Sequence, residues 1–245
     1  MEQIRKKIRS SKTLAGPFPP FHTDAAGEYP HELFLEWFQE AFENGVHEPH
    51  SMTLSTVDLD GTPDARVLIL KDIDEKGWYF ASSSVSNKGR QIGTNPEVAL
   101  TFYWSLIGRQ LRIRGKAIPM GKELSAKDFL NRGIVARATA LIDKQSSILV
   151  KRQDFDEALR EQMNRVRQTP DLVSSSWTLY RVEAKEVFPI SVLRALPTPA
   201  RDEGQSCSRL FIQCFFYIYP YRHPLFPSVL DKGFQQRLHL REYFL

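Results

Sequence analysis

Cysteine is scarce: the 245 residues hold two, Cys207 and Cys214, both inside one atypical late stretch. That excludes a disulfide framework or a cysteine-built metal cluster, and makes a reducing, cytoplasmic setting the expectation. No apolar run reaches the roughly 18 to 20 residues of a membrane helix, so no membrane partner is expected. The opening MEQIRKKIRSSKTLAG lacks the apolar centre of a secretory signal and reads as a short basic arm or a weak transit peptide. No strand leads into a GxGxxG turn, which argues against a Rossmann fold. HExxH, paired-carboxylate and zinc-finger patterns are missing, as are Lys/Arg-rich clusters; neither a metal nor nucleic acid is expected. His31, His47, His50 and His223 lack spaced partners, and no nucleophile arrangement stands out. Any enzyme chemistry therefore falls to an organic cofactor.

What is present is a globular composition, 42% hydrophobic and 25% charged, which allows a sizeable packed core. The net charge of +4 suits an anionic partner such as a phosphorylated cofactor. Residues 1–28, with GPFPPF at 16–21, read as a flexible, extended arm. His31 to Asn44 carries Leu33, Phe34, Trp37, Phe38, Ala41 and Phe42 at helical spacing, with Gly45 as a stop.

From Ser51 the period changes to two. SMTLSTVD and DARVLILKD are strands joined by DLDGTP, whose Asp-Gly favours a tight hairpin. GWYFAS (77–82), EVALTFYW (97–104), RQLRIRGKAI (109–118) and WTLYRVEAKEVFPI (177–190) are further strands. Helices are expected over 86–96, with Ser86 as N-cap, over 125–131, and from Asp154 to Arg167, where Asp154 and Glu157 have capping-box spacing. Short turns between consecutive strands require mainly antiparallel pairing. The expected fold is mainly β with flanking helices, an antiparallel closed or half-closed barrel.

Several polar residues lie where chemistry is possible. Arg66 and Lys71 bracket VLIL, an apparently buried run, so each must pair, reach solvent or face an anion. Strict alternation puts them on opposite faces unless a bulge or strand end intervenes. SSSVSNKGR (82–90) sets hydroxyls, Lys88 and Arg90 around a helix start, a place that favours phosphate. Leu111 and Ile113 point one way along their strand while Gln110, Arg112 and Arg114 point the other. KQSS (144–147) caps a helix or reaches a ligand.

Taken in order, EPHSMTLSTVDLDGTPDARVLILKD, GWYF, NKGRQIGTNPEVALTFYW, GRQLRIRG, KQSS and WTLYRV resemble the pyridoxamine 5'-phosphate oxidase family of FMN-binding split barrels. The resemblance runs from about Phe34 to Ile190. LAGPFPPF is similar to the family's phenazine-biosynthesis branch. The resemblance implies an FMN-dependent oxidase that makes pyridoxal 5'-phosphate from pyridoxamine or pyridoxine 5'-phosphate, with O2 as acceptor and H2O2 released. It equally leaves open another substrate of phenazine-precursor type, or an inactive flavin-binding module.

It also implies roles. Arg66, Lys88 and Ser82 would hold the FMN phosphate, with Ala81 beside them. Val67, Leu68, Ile69, Leu70 and Lys71 would run along the flavin, and Gln110 would hydrogen-bond it. Gln145 and Ser146 would reach a flavin across a homodimer interface, and Arg241 would contact it too. Arg237 and His239 would act as catalytic, substrate-contacting groups, with Lys71 and Arg132 also binding a small phosphorylated or aromatic substrate.

The chain departs from the family pattern at several points. Asn87 stands where the family has Arg. Asp128, Arg132 and Ala136 stand at the Tyr, Arg and Ser of the substrate-phosphate site, and an Asp there repels phosphate. Ile190 replaces an aromatic flavin contact. The expected organisation is an arm (1–28), a split-barrel domain (29–191), an atypical insertion (192–232) and a C-terminal strand with RLHLR (233–245). The insertion reads first as translated non-coding sequence, with an extra subdomain or a membrane- or partner-binding patch as the alternatives.

Overall fold

Alternation decides where sheet forms. In the computed structural model, which describes residues 1–12, 14, 16–21, 29–142 and 152–191, the strand β1 (Ser51–Val57) buries Met52, Leu54 and Thr56 and leaves their neighbours half-exposed. It pairs antiparallel with β2 (Pro63–Ile69) in the register Leu54↔Arg66. The hairpin closes through Asp58 N–H to the Thr62 carbonyl at 2.9 Å, with Gly61 at φ 85°, a conformation glycine adopts without strain. Then follow β3 (Asp72–Asp74), β4 (Gly77–Ser83), the helix α3 (Asn87–Thr94), β5 (Glu97–Trp104), β6 (Arg109–Pro119) and β7 (Trp177–Ser191). The helices that flank them are α1 (Glu2–Ser10), α2 (Pro30–Glu43), α4 (Gly121–Leu130), α5 (Ile134–Leu141) and α6 (Arg152–Gln168).

The described strands form one seven-stranded sheet in the order β2-β1-β5-β6-β7-β4-β3. Its two edge strands, β2 and β3, are consecutive in the chain, with only Leu70 and Lys71 between them. Leu70 N–H donates to the His50 carbonyl (2.9 Å) beside β1, whereas Lys71 N–H donates to the Tyr79 carbonyl (2.7 Å) on β4. Within two residues the chain leaves one edge and joins the other, which curls the sheet into a half-barrel. Every pairing with a recorded register is antiparallel, as expected from the short turns.

The chain divides into two compact units. The first comprises the described residues of Met1–Pro49, Phe102–Leu111 and 187–191. Its core is aromatic: Phe34 meets Phe102 edge-on at 4.9 Å, and Phe21 meets Trp37 at 5.1 Å. Each such buried side chain contributes about 2–3 kcal/mol. Arg109 lies inside this core, 1% exposed. Its guanidinium donates to the carbonyls of Pro19 and Pro20 (2.9 and 3.0 Å) and to Ser191, faces Glu40 at 3.4 Å, and stacks on Phe21 and Trp37. The second unit, His50–Thr101 with Arg112–Glu186, contains a smaller cluster of Phe129, Ala140 and Trp177.

Four local expectations are corrected. Residues 1–28 were read as extended, yet Glu2–Ser10 is helical, with Glu2 in its first turn and Lys7 and Arg9 in its last, charges that suit the helix dipole. The punctuation that suggested an extended arm begins only at Gly16. The helix expected from Ser125 starts at Gly121, and Ile134–Leu141 forms a helix that the apolar TALI did not reveal. Asp154 sits in the first turn of α6 and not at its cap, because the helix has begun by Arg152. Finally, VLIL is not buried: β2 is an edge strand, and Val67 is 67% exposed. The insertion at 192–232 and the strand at 233–245 lie outside the described residues.

Candidate cofactor and substrate site

The SSSVSNKGR stretch builds an anion-binding corner. β4 ends at Ser83, and Ser86 caps α3 by accepting the Gly89 N–H at 3.2 Å. Gly89 is required there, since a Cβ would stand 2.4 Å from the Ser83 carbonyl and 2.5 Å from that of Ser84. The first turn of α3 thereby folds hard against the loop and turns Lys88 inward. Lys88 is 8% exposed, and among the described residues its ammonium reaches only the Ser86 hydroxyl, at 3.4 Å. Burial, and next the Arg66 guanidinium, hold its pKa below the usual lysine value, with Asp64 opposing. Ser82, 2% exposed on β4, has a hydroxyl with no hydrogen-bond partner among the described residues. Buried polar groups normally find partners, so an unpaired hydroxyl beside a desolvated ammonium is chemically suited to a ligand that offers acceptors.

Both residues line a cavity of about 590 Å³ together with Val67, Leu68, Ile69, Lys71, Ala81, Arg132, Gly133, Ala136 and Trp177. Eight of the expected site residues are thus brought together: Val67, Leu68, Ile69, Lys71, Ala81, Ser82, Lys88 and Arg132. Arg66 and Lys71 do not converge, as their opposed parity requires: Lys71 lines the cavity and Arg66 does not. The Arg66 guanidinium donates to Thr56 (2.6 Å), to Asp64 (2.5 Å) and to the buried Gln91 (3.2 Å). Leu70 is half-buried and also outside the lining. Gln110 belongs to the first unit, where it is half-buried on β6, while Arg112 and Arg114 face solvent. Asn87, exposed, accepts from Arg90 at 2.5 Å. Gln145, Ser146, Arg237, His239 and Arg241 lie outside the described residues.

Lys71, Asp128 and Arg132, which the resemblance places at the substrate site, are joined by Trp177, which the sequence reading did not include. Lys71 Nζ lies 3.5 Å from Asp128 Oδ1, and Asp128 Oδ2 accepts from Trp177 Nε1 at 2.8 Å. The Arg132 guanidinium stacks over the Trp177 ring at 4.0 Å, and its Nη1 is buried without a hydrogen bond. Desolvation lowers the Arg132 pKa, with Asp128 acting against it. Trp177 was legible only as a strand start. Its position opposite α4 comes from the way β7 follows the α5–α6 segment.

The described strands form an antiparallel half-barrel with cations and an unpaired hydroxyl around one cavity, a lining whose charge suits a small anion. Residues 38–163 match the family described as pyridoxamine 5'-phosphate oxidase, and the chain belongs to that family. It is similar to the pyridoxine/pyridoxamine 5'-phosphate oxidase of Rhodopseudomonas palustris (strain BisB5), 42% identical over 135 residues, 55% of this chain and 63% of that protein. The corresponding protein of Bradyrhizobium sp. (strain ORS 278) is 41% identical over 134 residues, again 55% of this chain and 62% of the relative. The chain thus matches less than two thirds of the length of these relatives. Among solved structures, PhzG from Burkholderia lata 383, in complex with tetrahydrophenazine-1-carboxylic acid, aligns with a TM-score of 0.67 and 25% identity. That alignment covers 72% of this chain and 87% of PhzG. A pyridoxamine 5'-phosphate oxidase-related, FMN binding protein from Nostoc punctiforme PCC 73102 shares the fold, with a TM-score of 0.55 and 15% identity over 68% of this chain and 87% of that one.

Proposed function

We propose that the chain is an FMN-dependent oxidase of a small ring-bearing substrate, with pyridoxamine or pyridoxine 5'-phosphate as the first reading and pyridoxal 5'-phosphate as the product. The observation that carries the cofactor is the buried, unpaired Ser82 hydroxyl beside the desolvated Lys88 ammonium. Both are donors, and a phosphate monoester satisfies both at once. FMN, when bound, supplies the two-electron acceptor that no side chain provides, with O2 as the final acceptor and H2O2 released.

The protein's own part is binding and orientation. Lys88 and Ser82 would anchor the phosphate, with Arg66 adding positive charge from its Asp64-bound position. Val67, Leu68 and Ile69 would offer apolar surface to a flat ring system, and Ala81 is small enough to let it approach. Arg132 would orient the substrate. Leu70, Gln110, Gln145, Ser146 and Arg241 complete the proposed cofactor contacts, and Arg237 and His239 the proposed catalytic pair. A cytoplasmic homodimer with sites between subunits belongs to the same proposal.

A second reading, oxidation of a phenazine-precursor type of substrate, is favoured by the Lys71–Asp128 ion pair. It also agrees with the likeness to PhzG, whose structure holds a carboxylic acid. The test is spectroscopic. The purified protein is expected to show flavin absorbance that bleaches on anaerobic addition of pyridoxamine 5'-phosphate. A colourless protein that takes up no FMN refutes the flavin reading. Colour without bleaching refutes the first substrate, and peroxide release with reduced heterocycles then supports the second over an inactive module.

A further inference from the structure

Lys71 and Arg132, which line the same cavity as Ser82 and Lys88, have a charge count that bears on what the enzyme accepts. Lys71 and Arg132 contribute two positive charges, and Asp128 cancels one of them through its contact with Lys71 at 3.5 Å. Asp128 cannot turn away cheaply: its second oxygen holds Trp177 Nε1 at 2.8 Å, and Trp177 in turn supports the Arg132 guanidinium at 4.0 Å. The carboxylate is also only 14% exposed at its side chain, so water screens it weakly. What remains without a carboxylate partner in hydrogen-bond contact is Arg132, which lines the cavity and whose buried Nη1 has no hydrogen bond among the described residues. Ala136, in the same lining, offers no hydroxyl to help.

We propose that Asp128 is a specificity-determining residue, which leaves this part of the lining one net positive charge and so selects a ring substrate bearing a monoanionic carboxylate over one bearing a phosphate dianion. The inference rests on the flavin-oxidase reading and chooses between its two substrate classes. A phosphate brings close to two negative charges at neutral pH. Arg132 can pair with one of them, while Asp128 repels the remainder and keeps Lys71 from answering it. A carboxylate brings one charge and matches the planar guanidinium in a bidentate contact. Discrimination thus comes from a repulsive element rather than from an extra contact.

Phenyl phosphate and benzoate, which share a ring and differ in the charged group, test this by equilibrium binding to the full-length flavin-loaded protein at pH 7.5. Binding is followed by calorimetry, independently of turnover. Wild type is expected to bind benzoate more tightly than phenyl phosphate. In Asp128→Asn, which keeps an acceptor for Trp177, the preference is expected to move toward phenyl phosphate by about tenfold or more, since one charge within roughly 4–6 Å is worth one to three decades. Asp128→Ser is a second variant should the first fold poorly, and the wild-type preference alone also decides. Equal or tighter binding of phenyl phosphate by wild type, or a ratio that the substitutions leave unchanged, overturns the proposal. If the protein takes up no flavin, the same titration on the flavin-free chain, read by tryptophan fluorescence, still decides the role of Asp128 and separates its failure from that of the oxidase reading.

Discussion

Replacing Lys88 by methionine removes the ammonium from the anion corner while keeping most of the buried volume. Two effects of opposite sign follow. Without flavin, Lys88 is a desolvated cation whose only hydrogen bond among the described residues is a long one to Ser86, at 3.4 Å. Burial, then Arg66, lower its pKa from 10.5. A base with a folded pKa below its unfolded one binds more protons unfolded, so stability rises with pH between the two values. Lys88→Met is therefore expected to be more stable than wild type in urea near neutral pH, with the gap closing as pH climbs toward about 10.5. With FMN the sign reverses. A hydrogen bond to a charged partner is worth about 1.5–3 kcal/mol, so the FMN dissociation constant should rise roughly 10- to 150-fold. Arg66 cannot compensate, since Asp64 and Thr56 already hold it at 2.5 and 2.6 Å. Flavin fluorescence titrations with FMN and riboflavin provide the assay, because riboflavin lacks the phosphate. Wild type should prefer FMN strongly and Lys88→Met should lose most of that preference. Equal binding of both flavins by wild type, or an intact preference in the variant, would refute the reasoning.

Ser82→Ala removes a hydroxyl that has no partner in the flavin-free fold. It should leave urea stability unchanged or slightly raised while weakening FMN by about 0.5–1.5 kcal/mol, measured by the same titration. Arg109→Met strands Glu40 and the carbonyls of Pro19 and Pro20; it should cost about 3 kcal/mol in urea unfolding and make the 16–21 segment more sensitive to protease. Gly115→Ala would put a Cβ 2.1 Å from the Glu183 carbonyl, backbone that cannot yield. A loss of about 3 kcal/mol or more, or insoluble protein, is expected, and a near-neutral effect would contradict that packing.

The sheet was legible because its strands bury one face. SMTLSTV and RQLRIRGKA alternate as a half-buried surface must, and the structure buries Met52, Leu54, Leu111 and Ile113 as that pattern requires. VLIL misled for the complementary reason: on an edge strand beside a cavity, apolar side chains face a prospective ligand instead of a core, and composition does not separate the two. Arg109 shares the parity of Leu111 and Ile113, so its inward direction was available from the pattern, but an arginine there reads as exposed until its aromatic and carbonyl partners are known. Ser86, Lys88 and Ser82 were legible because capping is local, three residues against one helix turn. The cluster of Lys71, Asp128, Arg132 and Trp177 was not, since it joins three chain segments, the nearest to Lys71 being 57 positions away in sequence. The resemblance placed Asp128, on α4, and Arg132, just past its end, at one substrate site, and Trp177 was the member beyond its reach.

The central claim is that Ser82 and Lys88 hold the phosphate of FMN, and a crystal structure of the flavin-loaded protein tests it most directly. Phosphate oxygens within about 2.7–3.2 Å of Lys88 Nζ and Ser82 Oγ are the predicted result. A flavin whose phosphate lies elsewhere, with the Ser82 hydroxyl still unpaired, would contradict the account.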